Sequence, residues 1–259
     1  MDRYHPGYTN NDLLALYTFT GGVPKYIDSL VSADALSEQS MIEEIVSPGS
    51  IFTEEGKAML IEEFGKDYAV YFSILTAIAS GHTVRNEIET QVGKEIGGYL
   101  TRLEDTYGII SKLQPMFEKT SNKNVHYQIH DNFLRFWFRF FYKYSHMVQL
   151  GAFERLKDLV RRDYPTFSGL ALERYFVAKL AERGTYTHIA NWWDRKGENE
   201  IDIIAENEVD KHVEFIEVKR QRRNVDLAIL RSKADAMMQS THRFGDYEKA
   251  FVGLTIENM

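Results

Sequence analysis

Four residues in the second half of the chain have the types and spacing of a metal-assisted hydrolytic centre. Glu217, Val218 and Lys219 form an E-x-K tripeptide in a strand-like run over 213–219, so the carboxylate and the ammonium project from one face. Asp202 stands in the preceding strand-like run, 200–205, and antiparallel pairing across a hairpin would set it beside Glu217. Two ionised carboxylates on one sheet face repel and are costly to bury, and a divalent cation resolves that cost. Mg²⁺, or Mn²⁺ in its place, takes oxygen ligands, commonly one or two carboxylates with waters and a substrate phosphate. On this basis Asp202 and Glu217 are the expected metal ligands, and Glu173, on an earlier helix, is the auxiliary one. Lys219 is expected to activate the attacking water or to stabilise the transition state of phosphodiester hydrolysis. An isolated E-x-K is far better explained by a salt bridge on a solvated sheet face, the tripeptide being common by chance; the order helical Glu, strand Asp, strand E-x-K, basic segment is what shifts the balance.

The basic segment is Lys219, Arg220, Arg222, Arg223, Arg231 and Lys233, opposed by Asp226 alone. Arg220, Arg222, Arg223 and Lys233 are therefore the candidates for holding a nucleic-acid backbone, with a solvated basic turn as the plain alternative for each. The net charge of −7 argues against a protein that coats nucleic acid over its whole surface. Zero Cys excludes a disulfide scaffold, Cys-ligated zinc, iron–sulfur clusters and thiol catalysis. No stretch approaches the roughly 18 apolar residues of a membrane span, and the expected location is the cytoplasm. Among the eight His residues no H-E-x-x-H occurs, and no G-x-S-x-G marks a serine nucleophile.

The elements that must position these residues follow from periodicity. Helices are expected on either side of Gly21-Gly22-Val23-Pro24, and helical spacing continues over 37–64 with a break at 47–50. From Asp67 the order is helix, a short helix over 84–92 capped by Thr83, a helix over 94–107 and two strands, 109–113 and 125–129, around a polar loop at 119–124: the order of a winged helix-turn-helix. The aromatic run 133–142 reads chiefly as a buried helix. After Gly151 come helices over 152–162 and 169–183, three strands ending at 219, a helix over 225–238 and a strand at 249–255. Trp192 and Trp193 are expected to split, one in the core and one exposed near the site.

The order Glu173, Asp202, Glu217-x-Lys219 resembles the core of the PD-(D/E)XK nuclease superfamily, which implies a mixed sheet flanked by helices and Mg²⁺-dependent cleavage of DNA. Over nearly its full length the chain is similar to the C-terminal part of archaeal and bacterial ATPases of the AAA/STAND type. That resemblance is carried by Gly21-Gly22-Val23-Pro24-Lys25-Tyr26-Ile27, Ile74 to Gly81, Asp131 to Trp137, and Trp192 to Gly197 leading into Glu200-Ile201-Asp202. It implies an α+β multidomain chain: a helical lid remnant (1–65), a winged helix-turn-helix with an aromatic connecting helix (66–145) and a restriction-endonuclease-like α/β domain (146–259). Members of that family also carry an upstream P-loop domain, which this chain is expected to have lost. The stretch from Gly49 to Gly56-Lys57-Ala58 has six residues between its glycines where a P-loop has four, and lacks Ser or Thr after the lysine. No nucleotide is expected, and the chain is not an ATPase on its own.

Two functions stay open from sequence. One is a Mg²⁺-dependent nuclease acting on DNA; the other is a non-catalytic nucleic-acid-binding or protein-interaction module, the regulatory part of a split ATPase. The predicted helix 94–107 offers Lys94 and Arg102 against Glu95, Glu104 and Asp105, so DNA binding and protein docking stand level for the winged helix.

Overall fold

Local chemistry sets the helix ends. Thr9 and Asp12 cap α1 (Asn10–Thr20) reciprocally: the Thr9 hydroxyl accepts the Asp12 N–H at 3.2 Å, and the Asp12 carboxylate accepts the Thr9 N–H at 3.1 Å. Gly21 ends α1 at positive φ, and Pro24 opens α2 (Pro24–Ser32) at a position where its missing N–H costs nothing. α3 (Glu38–Ile45) and α4 (Ile51–Phe64) flank the expected break. The Gly49-to-Lys57 stretch thus lies largely within α4, and no phosphate-cradling loop forms there.

This computed structural model describes residues 7–118 and 124–259. The chain divides into two compact units, residues 1–113 with 125–166, and residues 114–124 with 167–259.

In the first unit α5 (Tyr68–Ala79), α6 (Arg85–Val92) and α7 (Gly97–Thr101) lead into an antiparallel ribbon of β1 (Ile110–Leu113) and β2 (His126–Ile129), with Ile110 opposite Ile129. Two expectations are corrected here. Thr83 does not cap the second helix: Val84 holds the cap position, the Thr83 hydroxyl bonds His126 Nδ1 at 2.9 Å, and the Thr83 carbonyl accepts the Tyr127 N–H at 2.8 Å. The third helix opens at Gly97, three residues after Lys94, and its last turn is wound as a π-helix over 102–106. α8 (Asn132–Phe136) runs on through a π-helical turn to Tyr142, followed by α9 (Ser145–Gln149) and α10 (Phe153–Phe167). Phe133, Phe136, Trp137, Phe138, Phe140 and Phe141 are all buried, so the aromatic run is core. Phe136 meets Phe19 edge-on with centroids 4.9 Å apart, and Phe138 meets Phe72 at 5.3 Å.

The boundary expected near residue 146 moves to 166–167, because α10 packs into the first unit. Tyr164 sits 5.2 Å from the Phe19 ring, and Lys157 and Arg161 both pair with Glu43 on α3. Asp163 of the same helix accepts from Arg139 at 2.6 Å and Arg162 at 2.7 Å. The Arg162 hydrogen bond, with help from Arg139, holds the Asp163 carboxyl below the usual range against the opposing effect of burial. A depressed native value makes this contribution complete above about pH 4 and removes it as pH falls through that lowered value. Urea midpoints are therefore expected to fall with acidification in the wild type and to fall less steeply in Asp163→Asn; parallel profiles would contradict this.

The second unit has the order helix, three strands, helix, strand. These are α11 (Gly169–Glu182), β3 (His188–Trp193), β4 (Glu200–Asn207), β5 (His212–Val218), α12 (Leu227–Thr241) and β6 (Glu248–Leu254). One mixed sheet results, ordered β3-β4-β5-β6, with the first two pairings antiparallel and the last parallel. On one face Leu230, Ala234 and Met237 of α12 pack with Trp192, Ile201, Ile204, Val213 and Phe215. The registered pair Ile203 and Ile216 is fully buried and, by strand alternation, points the other way, while α11 packs on β3, β4 and β5.

The segment expected as the wing's loop is divided. Residues 119–123 lie outside those described, but the flanks are built into the second unit. The Met116 N–H donates to the Asn191 carbonyl at 2.9 Å, its side chain joins the α12 core cluster, and Asn124 Oδ1 accepts from Trp193 Nε1 at 2.8 Å. Trp192 and Trp193 are consequently both buried, correcting the expected split.

Candidate active site

The site forms where a strand ladder stops. β4 and β5 pair from Asn207 with His212 up to Ile203 with Ile216, whereas β5 continues alongside β6 as far as Val218 with Leu254. Between Ala190/Ile204 and Trp192/Ile201 the β3–β4 register slips, so Asp202 and Ile203 share the place opposite Asn191. One step past the last β4–β5 pair, the Asp202 side chain replaces the missing ladder bond: its Oδ2 accepts the Val218 N–H at 2.7 Å. The same oxygen accepts from Lys219 Nζ at 3.1 Å, and Glu217 Oε1 lies 3.5 Å from that nitrogen. Glu217 Oε2 in turn accepts the N–H of Asp226, whose own carboxylate caps α12 by accepting from Ala228 and Ile229. One helix start, two strands and four charged side chains are thereby locked together.

Gly253, registered beside Glu217 on β6, makes room for the segment that brings Asp226 in. A Cβ there would collide with Val225 Cγ1. This requirement is for close approach, since Gly253 is not at positive φ.

Burial pushes the Lys219 ammonium towards lower pKa, but Asp202 and Glu217 together outweigh it and leave the group above its ordinary value. Glu200, two residues before Asp202 on β4, is raised by desolvation and by the Asp202 charge, with Lys233 and Lys219 opposing. Glu200 belongs to the electrostatics of the site although motif spacing did not single it out. Its place two residues from Asp202 on one strand was the available signal.

Asp202, Glu217 and Lys219 are thus brought together. Glu173 is half-buried on α11, and among the described residues no three Asp, Glu or His groups stand close enough to hold a metal ion. Asp202 and Glu217 nevertheless both face one cationic point, the Lys219 nitrogen, and two carboxylates aimed at a common cation suit a hard divalent ion that completes its shell with water. The basic residues differ among themselves. Arg220 bonds the buried Ser168 hydroxyl, Arg222 reaches the Gly253 carbonyl at 3.4 Å, and Arg223 bonds Gln221 at 2.8 Å. Lys233 lies half-buried on α12, near enough to Glu200 to oppose its upward shift.

Residues 137–235, a span that includes Glu173, Asp202, Glu217 and Lys219, match the DUF234 family model, described as archaea bacterial proteins of unknown function. The chain is 29% identical over 231 residues to the uncharacterized protein MJECL04 of Methanocaldococcus jannaschii, covering 85% of this chain and 50% of the relative. The chain therefore spans about half the length of that curated relative. No solved structure matches.

Proposed function

We propose that the second unit is a nuclease-like domain of the PD-(D/E)XK kind, acting on phosphodiesters with Mg²⁺, and that the first combines a lid-like helical segment with a winged helix. The observation that carries the proposal is the meeting of Asp202, Glu217 and Lys219 where the β4–β5 ladder ends. When bound, Mg²⁺ supplies charge neutralisation and a water of lowered pKa. Asp202 and Glu217 would hold it; Glu173, which does not stand close enough to form a three-acid cluster with them, would act only through a water. Their orientations are fixed by main-chain N–H groups of Val218 and Asp226, an arrangement of outer partners that keeps ligands in place. Lys219, beside both acids, would stabilise charge on the phosphoryl oxygens or orient the attacking water. Arg222, Arg223 and Lys233 would contribute to backbone attraction; Arg220 is assigned first to tying β5 to α11 through Ser168.

The test is incubation with supercoiled plasmid in Mg²⁺ and in EDTA. Nicked circles in Mg²⁺ alone are expected, and none in either condition would overturn the enzymatic reading. A second reading, a non-catalytic interaction module, has its own observation: Lys219 already forms an ion pair with each of the two acids. In the winged-helix candidate Lys94 lies over the Tyr99 ring at 4.8 Å and Arg102 reaches Tyr71 Oη at 3.4 Å, so both cations of the expected reading helix have partners within the unit, which favours protein docking over DNA for that module.

A further inference from the structure

We propose that Lys219 is the resident counter-cation of the Asp202–Glu217 pair and that a divalent ion enters only by displacing it, a latch that rests on the metal-site reading above. One nitrogen serves both acids, at 3.1 Å from Asp202 and 3.5 Å from Glu217. Each acid also accepts a main-chain N–H, from Val218 and Asp226 respectively, and the ammonium stands within reach of both carboxylates.

Exposure decides which group moves. The Asp202 and Glu217 side chains are 14% and 9% exposed and cannot be left without a cation, whereas Lys219 is 36% exposed and its flexible stem can carry the charge outward. A dication at the same point would face the ammonium across a few ångströms of poorly screened space, and the two exclude each other. The lysine keeps the acids compensated without metal and is released toward an incoming phosphodiester when metal binds. Nuclease chemistry would then be linked to metal entry by one side chain.

The experiment is a calorimetric Mn²⁺ titration of the wild-type chain and Lys219→Met, with reductive methylation of Lys219 in the wild type, read by mass spectrometry with and without Mn²⁺. The latch predicts about tenfold or more tighter Mn²⁺ binding by the variant, the factor that corresponds to one pK unit of competing interaction. It also predicts faster methylation of Lys219 once Mn²⁺ is present. The labelling arm uses the native chain and stands even if the variant folds poorly. Equal or weaker binding by the variant, or methylation that Mn²⁺ leaves unchanged or slows, overturns the latch while wild-type binding preserves the metal site. Absence of Mn²⁺ binding by both proteins removes the metal site and the latch with it.

Discussion

Glu217→Gln is expected to lower Mg²⁺-dependent plasmid nicking about 10²–10³-fold, the scale of removing one preorganised charge-stabilising group, while leaving the fold in place. The amide keeps an oxygen for the Asp226 N–H, so the bond that seats the start of α12 survives, but the negative charge that faces Lys219 is gone. Glu217→Ala removes both. The Asp226 N–H then loses its acceptor beneath a side chain that is almost fully buried, which costs about 1–3 kcal/mol. Urea unfolding of the two variants beside the nicking assay separates charge from structure. Nicking by Glu217→Gln at the wild-type rate would contradict the assignment of Glu217 as a ligand.

Gly56→Ala is expected to destabilise the protein by about 1–3 kcal/mol, the cost of overpacking a filled core. In an ordinary helix interior the same change gains about 0.5–1 kcal/mol, so the sign itself is diagnostic. Gly56 lies in α4 against the indole of Trp137: an added Cβ would stand 2.6 Å from Cδ2. Trp137 has little freedom to retreat, being buried, packed against Phe138 and Tyr142, and bonded through Nε1 to the Thr53 carbonyl at 3.0 Å. A smaller side chain at 137 should relieve part of the clash. Gly56→Ala with Trp137→Leu is then less destabilised than the two single changes added together, with a coupling of about 0.5–3 kcal/mol. Unchanged or raised stability in Gly56→Ala would show that the close approach is not required.

Local signals were legible. Gly21 with Pro24, the break at 47–50, the aromatic periodicity of 133–142 and the strand runs before Glu217 each depend on neighbours in sequence, and the elements appear where those signals place them. The nearness of Asp202 to Glu217-x-Lys219 was legible from the short hairpin that joins their strands, whereas its manner was not, since the β3–β4 bulge and the end of the β4–β5 ladder set where Asp202 reaches. What sequence did not yield depends on partners far along the chain. Thr83 turns to His126, and Asn124 and Met116 cover the tryptophans of β3. Arg220 is drawn to Ser168, and α10 is held to the first unit by Tyr164 and Asp163. The stop in the β4–β5 ladder was hidden too, since it arises from the Asp202 side chain taking a main-chain N–H that periodicity assigns to a carbonyl.

The most direct measurement is calorimetric titration of Mn²⁺ into wild type and Asp202→Ala under identical conditions. Saturable binding by the wild type, weakened at least about tenfold in the variant, is the predicted result, since even outer partners of a metal ligand are worth that much. Indistinguishable isotherms, or none from either protein, would contradict a cation-binding role for the acids at the end of the β4–β5 ladder.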